Sequence, residues 1–252
     1  MSDAVPIQSV ESNDPEKGAG RELIALMEEP NPLVPKALDE NLIIHARTPH
    51  LEAFNAFREL RADLLQRSKG RNYVCVITSL YPRGGATHVA LNLASAIALD
   101  RSKTALIVDC NLYRPAVHSL LGVRAEPGLT DFLNDPDGVS ISDIIKPAAI
   151  PRIRVIPAGG PVARETECLS TMNMRLLIHM LQQRYPDRFI IIDAPDMRAA
   201  ADTRLLENYA DFVCMVVPYG KATSSKIVDA TNTFTPEKFA GVIFNRLPSF
   251  GG

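Results

Sequence analysis

The chain has 252 residues and a mass of 27.6 kDa, which is enough to form one large domain around a buried core. It carries 27 Lys and Arg residues against 29 Asp and Glu residues, and this net charge of −2 argues against a protein whose main partner is nucleic acid. No apolar run reaches the roughly eighteen residues that a membrane-spanning helix needs, and the polar N-terminus does not resemble a secretory signal, so we expect a cytoplasmic protein without direct membrane insertion.

Residues 1–40 differ in composition from the rest of the chain. They contain five prolines, nine acidic residues and three basic residues, so their local net charge is −6. Low hydrophobicity with charge of one sign favours disorder, and we expect a mostly disordered acidic tail with a short helix at Arg21–Glu29. This tail is either a solvated leader or a docking arm. The remaining residues, 41–252, are expected to form one domain.

From residue 48 onward the sequence alternates between amphipathic helices and short apolar strands. The predicted helices are Pro49–Arg67, Thr87–Leu99, Pro115–Leu121 and Thr171–Arg184. The predicted strands are Tyr73–Thr78, Thr104–Asp109, Ile153–Pro157, Phe189–Asp193, Phe212–Val217 and Gly241–Asn245. Short apolar runs rich in β-branched residues are typical of buried parallel strands. The sequence therefore predicts an α/β fold with a mainly parallel sheet flanked by helices.

A glycine-containing loop joins the first predicted strand to the next helix. Its sequence, Ser79-Leu-Tyr-Pro-Arg-Gly-Gly-Ala-Thr-His88, has the layout of a P-loop, in which backbone N–H groups and a helix N-terminus hold phosphates. Ala86 stands where a P-loop has its lysine, whereas Thr87 keeps the hydroxyl that normally ligates Mg²⁺. The loop predicts a P-loop NTPase-like fold, and the alternative is a glycine-rich turn without a ligand.

Two aspartates end two of the predicted strands. Asp109 and Asp193 each follow a run of apolar residues. Ligands of open parallel sheets bind beyond the carboxyl ends of the strands, so we expect both carboxylates beside the phosphate loop. There they would form a site for Mg²⁺ and water together with Thr87. The alternative is that each aspartate only caps the turn after its strand.

These motifs, in this order, resemble the cytoplasmic catalytic domain of the bacterial tyrosine kinases of capsule and exopolysaccharide synthesis. The resemblance extends from about Leu38 to Leu247. The kinase family that it points to belongs to the same P-loop branch as the cell-division and plasmid-partition ATPases. Further segments that carry it are Phe57-Arg-Glu-Leu-Arg61, Gly128-Leu-Thr-Asp131, Val155-Ile-Pro-Ala-Gly159, Tyr209-Ala-Asp211 and Gly241-Val-Ile-Phe-Asn245.

The resemblance implies a site for ATP or ADP with Mg²⁺. The residues implied in nucleotide binding are Pro82, Arg83, Gly84, Gly85, Ala86, Thr87, His88 and Asn245. Thr87, Asp109 and Asp193 are implied as metal ligands, and the two aspartates also as catalytic residues. Arg58 and Arg61 are implied as contacts of a homo-oligomer. The implied partner is the cytosolic segment of a membrane polysaccharide co-polymerase (a chain-length regulator), which would hold the protein at the periphery of the inner membrane.

Several positions depart from the family pattern. Arg83 replaces a glycine, Ala86 the lysine, Asn111 a carboxylate and Asn55 a glutamate, and the last tyrosine is Tyr219, although active members end in a tyrosine-rich tail. Because the lysine brings positive charge to the transferred phosphate and an amide is a poorer Mg²⁺ ligand, we expect weak or no tyrosine kinase activity and a regulatory or scaffolding role. The alternatives are an active tyrosine kinase or ATPase that uses Arg83 in place of the lysine, and a partition or positioning ATPase of the sister branch.

Overall fold

A computed structural model describes residues 32–161, 168–184 and 188–248 of the chain. Seven strands within these ranges form one sheet in the order β3-β4-β2-β5-β1-β6-β7. Their bounds are β1 Val74–Ser79, β2 Thr104–Asp109, β3 Lys146–Pro147, β4 Ile153–Ile156, β5 Arg188–Asp196, β6 Phe212–Pro218 and β7 Phe239–Asn245. All neighbouring strands run parallel except β3, which pairs antiparallel with β4. The mainly parallel sheet predicted from the sequence is confirmed.

Helices connect the strands and cover both faces of the sheet. Their bounds are α1 Pro35–Glu40, α2 Leu51–Arg67, α3 Ala86–Ala98, α4 Val117–Leu121, α5 Leu129–Asn134, α6 Ile141–Ile144, α7 Met172–Arg184, α8 Ala200–Glu207 and α9 Ser224–Thr231. The helix predicted at Arg21–Glu29 lies outside the described residues. In the part of the chain that the structure describes, no helix has the length and apolar character needed to cross a membrane.

The central strands are buried on both faces. Every residue of β1 and β2 is buried, and successive side chains of a strand point to opposite sides of the sheet. Cys75 and Ile77 pack in the cluster that contains α3, whereas Val74 and Val76 pack in the cluster that contains α7. Because both faces are covered, these strands appear in the sequence as continuous apolar runs rather than as an alternating pattern.

The last residues of the segment assigned to the tail pack against the body of the protein. Leu38 of α1 is buried in the same cluster as α3, and the Leu33 N–H donates to the Ala149 carbonyl at 2.6 Å. Leu38 is the one buried residue of this short helix, so the sequence offers no helical periodicity there. The domain boundary near residue 41 stays a prediction, because the residues before Pro32 are not described.

The sheet brings the predicted loop and the predicted aspartates to one edge. The phosphate loop follows β1, which lies beside β5, and β5 lies beside β2. Asp109 at the end of β2 is the register partner of Asp193 on β5. Parallel pairing therefore places the two carboxylates side by side at the carboxyl edge, next to the strand that leads into the loop.

Candidate nucleotide site

The phosphate loop is a tight turn that requires glycine at two positions. Gly85 is the N-cap of α3 and has a φ of 102°, in the left-handed region that favours glycine. A Cβ on Gly84 would overlap Ser79 Oγ and lie 3.0 Å from the Tyr81 carbonyl oxygen. The Gly84 N–H donates to that same carbonyl at 3.1 Å. No side chain caps α3, so the first N–H groups of this helix have no side-chain acceptor and can receive an anion.

The end of β7 is tied to this loop by two side chains. Asn245 Nδ2 donates to the Gly84 carbonyl at 3.2 Å, and Arg246 Nη2 donates to the Arg83 carbonyl at 2.8 Å. A Cβ on Gly85 would overlap Asn245 Nδ2, so the packing of the loop on Asn245 also requires glycine. The resemblance implied Asn245 at the site, but Arg246 was missed, since its contact joins residues 163 positions apart and belongs to no motif.

The positions that depart from a P-loop lie at the centre of the loop. Arg83 is exposed and has a φ of 55°, a left-handed conformation that is unusual for a residue with a side chain. Ala86 is buried, with 8% of its surface exposed, in the first turn of α3. Pro82 and Thr87 are half-buried on either side of them. The loop thus has two glycines and an uncapped helix start, but a small apolar side chain stands at the position of the P-loop lysine.

The two strand-end aspartates are both fully buried, but they have different partners. Asp109 Oδ2 accepts N–H donors from Ala116 and Val117 at 3.1 Å each, and its Oδ1 accepts the Asn111 N–H at 3.2 Å. Asp109 therefore also caps the start of α4, as the alternative interpretation proposed. Both carboxylate oxygens of Asp193 are buried and meet no strict hydrogen-bond geometry with the described residues, although the Thr87 hydroxyl lies near enough to act on this carboxylate as a donor.

Burial raises the pKa of both carboxyl groups and so disfavours their ionised forms. It raises the pKa of Asp109 to about 7, although the three N–H donors lower it against this effect. Burial also raises the pKa of Asp193 well above its ordinary value; the charge of Asp109 raises it further, and the Thr87 side chain lowers it. Two adjacent buried acids without a cation between them are therefore held partly protonated.

The buried carboxylate oxygens of Asp193 fit a hard cation. Carboxylate and hydroxyl oxygens are the ligands that Mg²⁺ prefers, and Thr87 lies close enough to influence Asp193. Across residues 32–161, 168–184 and 188–248, no group of three or more His, Cys, Asp and Glu side chains is placed to hold a metal. Mg²⁺ would therefore need oxygens from water and nucleotide phosphates in addition to Asp109, Asp193 and Thr87, as is usual for this ion.

His88 contacts the rest of its helix rather than the loop. Its ring nitrogens lie 3.1 and 3.5 Å from Asn92 Nδ2, one turn along α3, and burial lowers the pKa of the ring. The buried Asn92 in turn accepts the Ile44 N–H at 2.8 Å and donates to the Leu42 carbonyl at 3.2 Å. The structure thus gives His88 a supporting contact, and its role in nucleotide binding stays a prediction.

The two arginines implied as oligomer contacts have different surroundings. Arg58 on α2 is exposed, with its guanidinium 5.5 Å from the centre of the Phe54 ring. Arg61 is half-buried, and its Nη1 donates to the Ala96 carbonyl near the end of α3 at 2.9 Å. Arg61 therefore holds α2 against α3 within one chain, while the predicted role of both residues in an oligomer is not tested by a single chain.

Comparison with known proteins finds relatives among the bacterial tyrosine kinases. No protein-family model matches the chain. The tyrosine-protein kinase Wzc of Salmonella typhimurium is 28% identical over 215 residues, which cover 84% of this chain and 29% of that protein. The tyrosine-protein kinase YwqD of Bacillus subtilis is 28% identical over 192 residues, which cover 75% of this chain and 79% of that protein. The relatives of this chain are bacterial tyrosine kinases. The resemblance predicted from the motifs is confirmed, although the chain spans less than a third of the length of Wzc.

Solved structures agree with this kinship. The VpsO kinase domain is 28% identical, with a TM-score of 0.70, and the alignment covers 79% of this chain and 96% of that chain. The chimerical protein CapA2B2 has a TM-score of 0.74 at 23% identity and covers 92% of this chain and 100% of that chain. A ParA family ATPase from Chlorobium tepidum shares the fold, with a TM-score of 0.54 at 20% identity over 69% of this chain and 74% of that chain. The predicted P-loop NTPase-like fold is confirmed.

Proposed function

We propose that the protein binds a magnesium nucleotide at this site and acts as a regulatory or scaffolding relative of the bacterial tyrosine kinases, with weak or no tyrosine kinase activity. The observation that carries the proposal is the buried carboxylate of Asp193, which meets no strict hydrogen-bond geometry among the described residues, beside a phosphate loop whose lysine position holds Ala86. The arrangement keeps what binding needs and lacks part of what phosphoryl transfer needs.

The binding elements are backbone groups and oxygen ligands. The N–H groups at the start of α3 and the helix dipole favour a phosphate, and they do not depend on the identity of the side chain at position 86. Thr87, Asp109 and Asp193 supply oxygens for Mg²⁺, which would bring positive charge to the phosphates. Asn245 packs against the loop, where the resemblance implies a contact with the nucleotide.

The site lacks charged groups that catalysis of phosphoryl transfer needs. Transfer of a phosphoryl group depends on cations placed around it, and loss of one such cation costs on the order of 10³ to 10⁵ in rate, with the arginine finger as the yardstick. Ala86 supplies no charge. Asn111 donates its N–H to Asp109 but brings an amide where the family pattern has a second carboxylate, so it is a weaker metal ligand and no base.

The proposed setting is an exopolysaccharide or capsule synthesis and export system. The relatives support it, since they include a protein named EpsB from Ralstonia solanacearum and a putative tyrosine-protein kinase from the cps region of Klebsiella pneumoniae. The proposed partner is the cytosolic segment of a membrane polysaccharide co-polymerase, which would hold this cytoplasmic protein at the inner membrane. A homo-oligomer is part of the same proposal.

Calorimetric titration with Mg²⁺-ADP and Mg²⁺-ATP tests the binding half of the proposal. The chain has no tryptophan, so heat is a better signal than intrinsic fluorescence. We expect micromolar to submillimolar binding that Asp193→Asn removes and that Asp137→Asn, at an exposed carboxylate, leaves unchanged. No binding at millimolar nucleotide would contradict the proposed site.

Phosphotyrosine analysis tests the catalytic half. The protein is incubated with Mg²⁺-ATP, alone and with the cytosolic segment of the co-polymerase, and tyrosine phosphate is measured by mass spectrometry. We expect the unaltered protein to form no more tyrosine phosphate than the Asp193→Asn variant does. Tyrosine phosphate that forms in the unaltered protein and disappears in this variant would instead support an active enzyme.

The second candidate is such an active kinase or ATPase with Arg83 as its cation. The exposed position of Arg83 in the loop favours this candidate, since a guanidinium there can bind phosphate in a bidentate manner. It predicts that Arg83→Ala abolishes activity. A partition-type ATPase is the third candidate; it predicts dimerisation with ATP in size-exclusion chromatography.

A further inference from the structure

Arg83 puts the phosphate loop at a conformational disadvantage. A non-glycine residue with a φ of 55° is strained, because its Cβ crowds the following carbonyl, and the family pattern has glycine at this position. The loop also lacks a lysine that would draw it toward a bound phosphate, since position 86 is alanine. Its binding shape must therefore be stabilised by contacts outside the loop.

The contacts that stabilise it come from two consecutive residues at the end of β7. Arg246 Nη2 donates to the Arg83 carbonyl at 2.8 Å, and Asn245 Nδ2 donates to the Gly84 carbonyl at 3.2 Å. The Arg246 N–H donates to Asn245 Oδ1 at 2.8 Å, which fixes the amide so that its NH₂ group faces the loop. Arg246 thus acts on both carbonyls, on one directly and on the other through Asn245.

The charge of Arg246 has no competing partner among the described residues. No carboxylate in those ranges forms an ion pair with it, and its side chain is exposed. A hydrogen bond from a charged donor is stronger than a neutral one and polarises the peptide that accepts it. That peptide carries the Gly84 N–H, which closes the turn onto the Tyr81 carbonyl at 3.1 Å. Arg246 has a φ of 60° itself, so the contact joins two residues in the left-handed region. Its guanidinium strengthens the turn that Arg83 strains.

We propose that Arg246 is a positioning residue of the phosphate loop, whose guanidinium holds the Arg83 carbonyl and offsets the left-handed conformation of Arg83. The geometry of this contact does not place Arg246 on a nucleotide; it keeps the loop N–H groups in the arrangement that a phosphate needs. The functional consequence of the contact rests on the proposed nucleotide site, whereas the contact itself does not.

Hydrogen exchange of the nucleotide-free protein tests the contact, with three single variants of the full chain. Arg246→Ala is expected to speed exchange of the amides of residues 80–88 by about fivefold or more, since the turn opens more often. Arg246→Lys keeps a charged donor, so its loop amides are expected to exchange faster than in the unaltered protein and more slowly than in Arg246→Ala. Arg67→Ala removes another exposed guanidinium, one paired with Asp63 on α2, and is expected to leave the loop unchanged.

The strain of Arg83 provides the decisive comparison. Arg83→Gly removes the strain, so adding Arg246→Ala in that background is expected to change loop exchange by less than about twofold. An equal effect of Arg246→Ala in both backgrounds would overturn the proposed compensation. So would an Arg246→Ala protein whose loop exchanges as slowly as that of the unaltered protein.

Titration with Mg²⁺-ADP extends the test to function. Arg246→Ala is expected to weaken binding about tenfold, or about 1.4 kcal/mol, and Arg246→Lys less. Unchanged affinity despite faster loop exchange would overturn the positioning role. If the unaltered protein binds no Mg²⁺-ADP while its loop still responds to Arg246→Ala, the proposed function fails and the structural contact stands.

Discussion

The two ends of α3 differ in the side-chain hydrogen bonds that they receive from other parts of the molecule. At the C-terminal end, arginine side chains donate to helix carbonyls: Arg61 to Ala96 at 2.9 Å, and Arg152 Nε to Ala98 at 3.0 Å. At the N-terminal end no side chain caps the helix, and Asp193 lies nearby without a hydrogen-bond partner among the described residues.

This difference separates a structural end from a binding end. Carbonyls at a helix C-terminus carry partial negative charge, so guanidinium groups there stabilise the fold directly. Uncapped N–H groups and an unpartnered buried carboxylate cost stability, and such groups are expected where a ligand supplies the missing partners. Removing the buried carboxylate at the binding end should therefore abolish nucleotide binding and raise stability. Removing an arginine at the structural end should lower stability and leave nucleotide binding unchanged.

The largest expected effect is a gain of activity at the binding end. Ala86→Lys combined with Asn111→Asp restores the cation and the carboxylate of the family pattern, and we expect ATP turnover to rise on the order of 10³-fold. Ala86→Met with Asn111→Asp is the matched control, because methionine has a similar length without the charge. Equal turnover in the two proteins, measured by phosphate release, would show that the missing charge does not limit this site.

The next effect is a gain of stability that accompanies a loss of binding. Asp193 has a raised pKa, so the folded state holds a proton that the unfolded chain releases, and this stabilisation is present at low pH and is lost as pH rises through the folded-state pKa. At pH 8 the carboxyl is ionised in the unfolded chain, and the folded state must either protonate it or bury its charge, so either way this group disfavours folding. Asp193→Asn is therefore expected to raise the melting temperature at pH 8 by a few degrees while removing Mg²⁺-nucleotide binding.

Asp202→Asn is the control for this prediction. Asp202 is also buried, but it accepts the Tyr113 hydroxyl at 2.8 Å, so its carboxylate has a partner to lose. We expect this variant to melt no higher than the unaltered protein. A melting temperature of Asp193→Asn that stays below the unaltered value at pH 8 would mean that the Asp193 charge is compensated by groups other than a ligand.

The sequence predicts where the two strand-end aspartates lie better than it predicts their hydrogen-bond partners. The apolar runs that precede Asp109 and Asp193 predict their strands, and parallel pairing then places both carboxylates at one edge. Nothing in the sequence distinguishes the two, because the donors to Asp109 come from residues 111, 116 and 117, whose geometry depends on the turn into α4.

Contacts between distant segments are the part that the sequence does not predict. The Arg246 contact with the loop depends on where β7 ends relative to β1, and the Arg61 contact with Ala96 depends on how α2 packs on α3. Arginine is common on protein surfaces, so neither residue stands out without coordinates. Arg61 accordingly carried only the oligomer role that the resemblance implied.

The affinity for Mg²⁺-ADP should depend on pH. Asp109 has a pKa of about 7, and a metal ion needs deprotonated ligands, so protons compete with Mg²⁺ below that pH. Affinity measured by calorimetry should rise from pH 6 to pH 8, by up to about tenfold per pH unit for each proton released. Titration with ADP in EDTA corrects for the ionisation of ADP itself. A slope that is the same with and without Mg²⁺ would contradict this role of the carboxylates.

The smallest effect on nucleotide binding is expected at the structural end of α3. Arg61→Ala removes a charged donor from the Ala96 carbonyl and should lower the free energy of unfolding by about 1.5–3 kcal/mol, measured with urea, while nucleotide affinity stays within about twofold. Arg58→Ala loses only an exposed contact with the Phe54 ring and should cost at most about 1 kcal/mol.

Light scattering on the same two proteins separates the structural role from the predicted oligomer. If an oligomer forms through this helix, Arg58→Ala dissociates it with no more than that small loss of stability, because Arg58 is exposed and its described contact is with Phe54 of its own helix. If Arg61→Ala instead weakens nucleotide binding as strongly as it weakens folding, the two ends of α3 are coupled and the division between a structural end and a binding end is wrong.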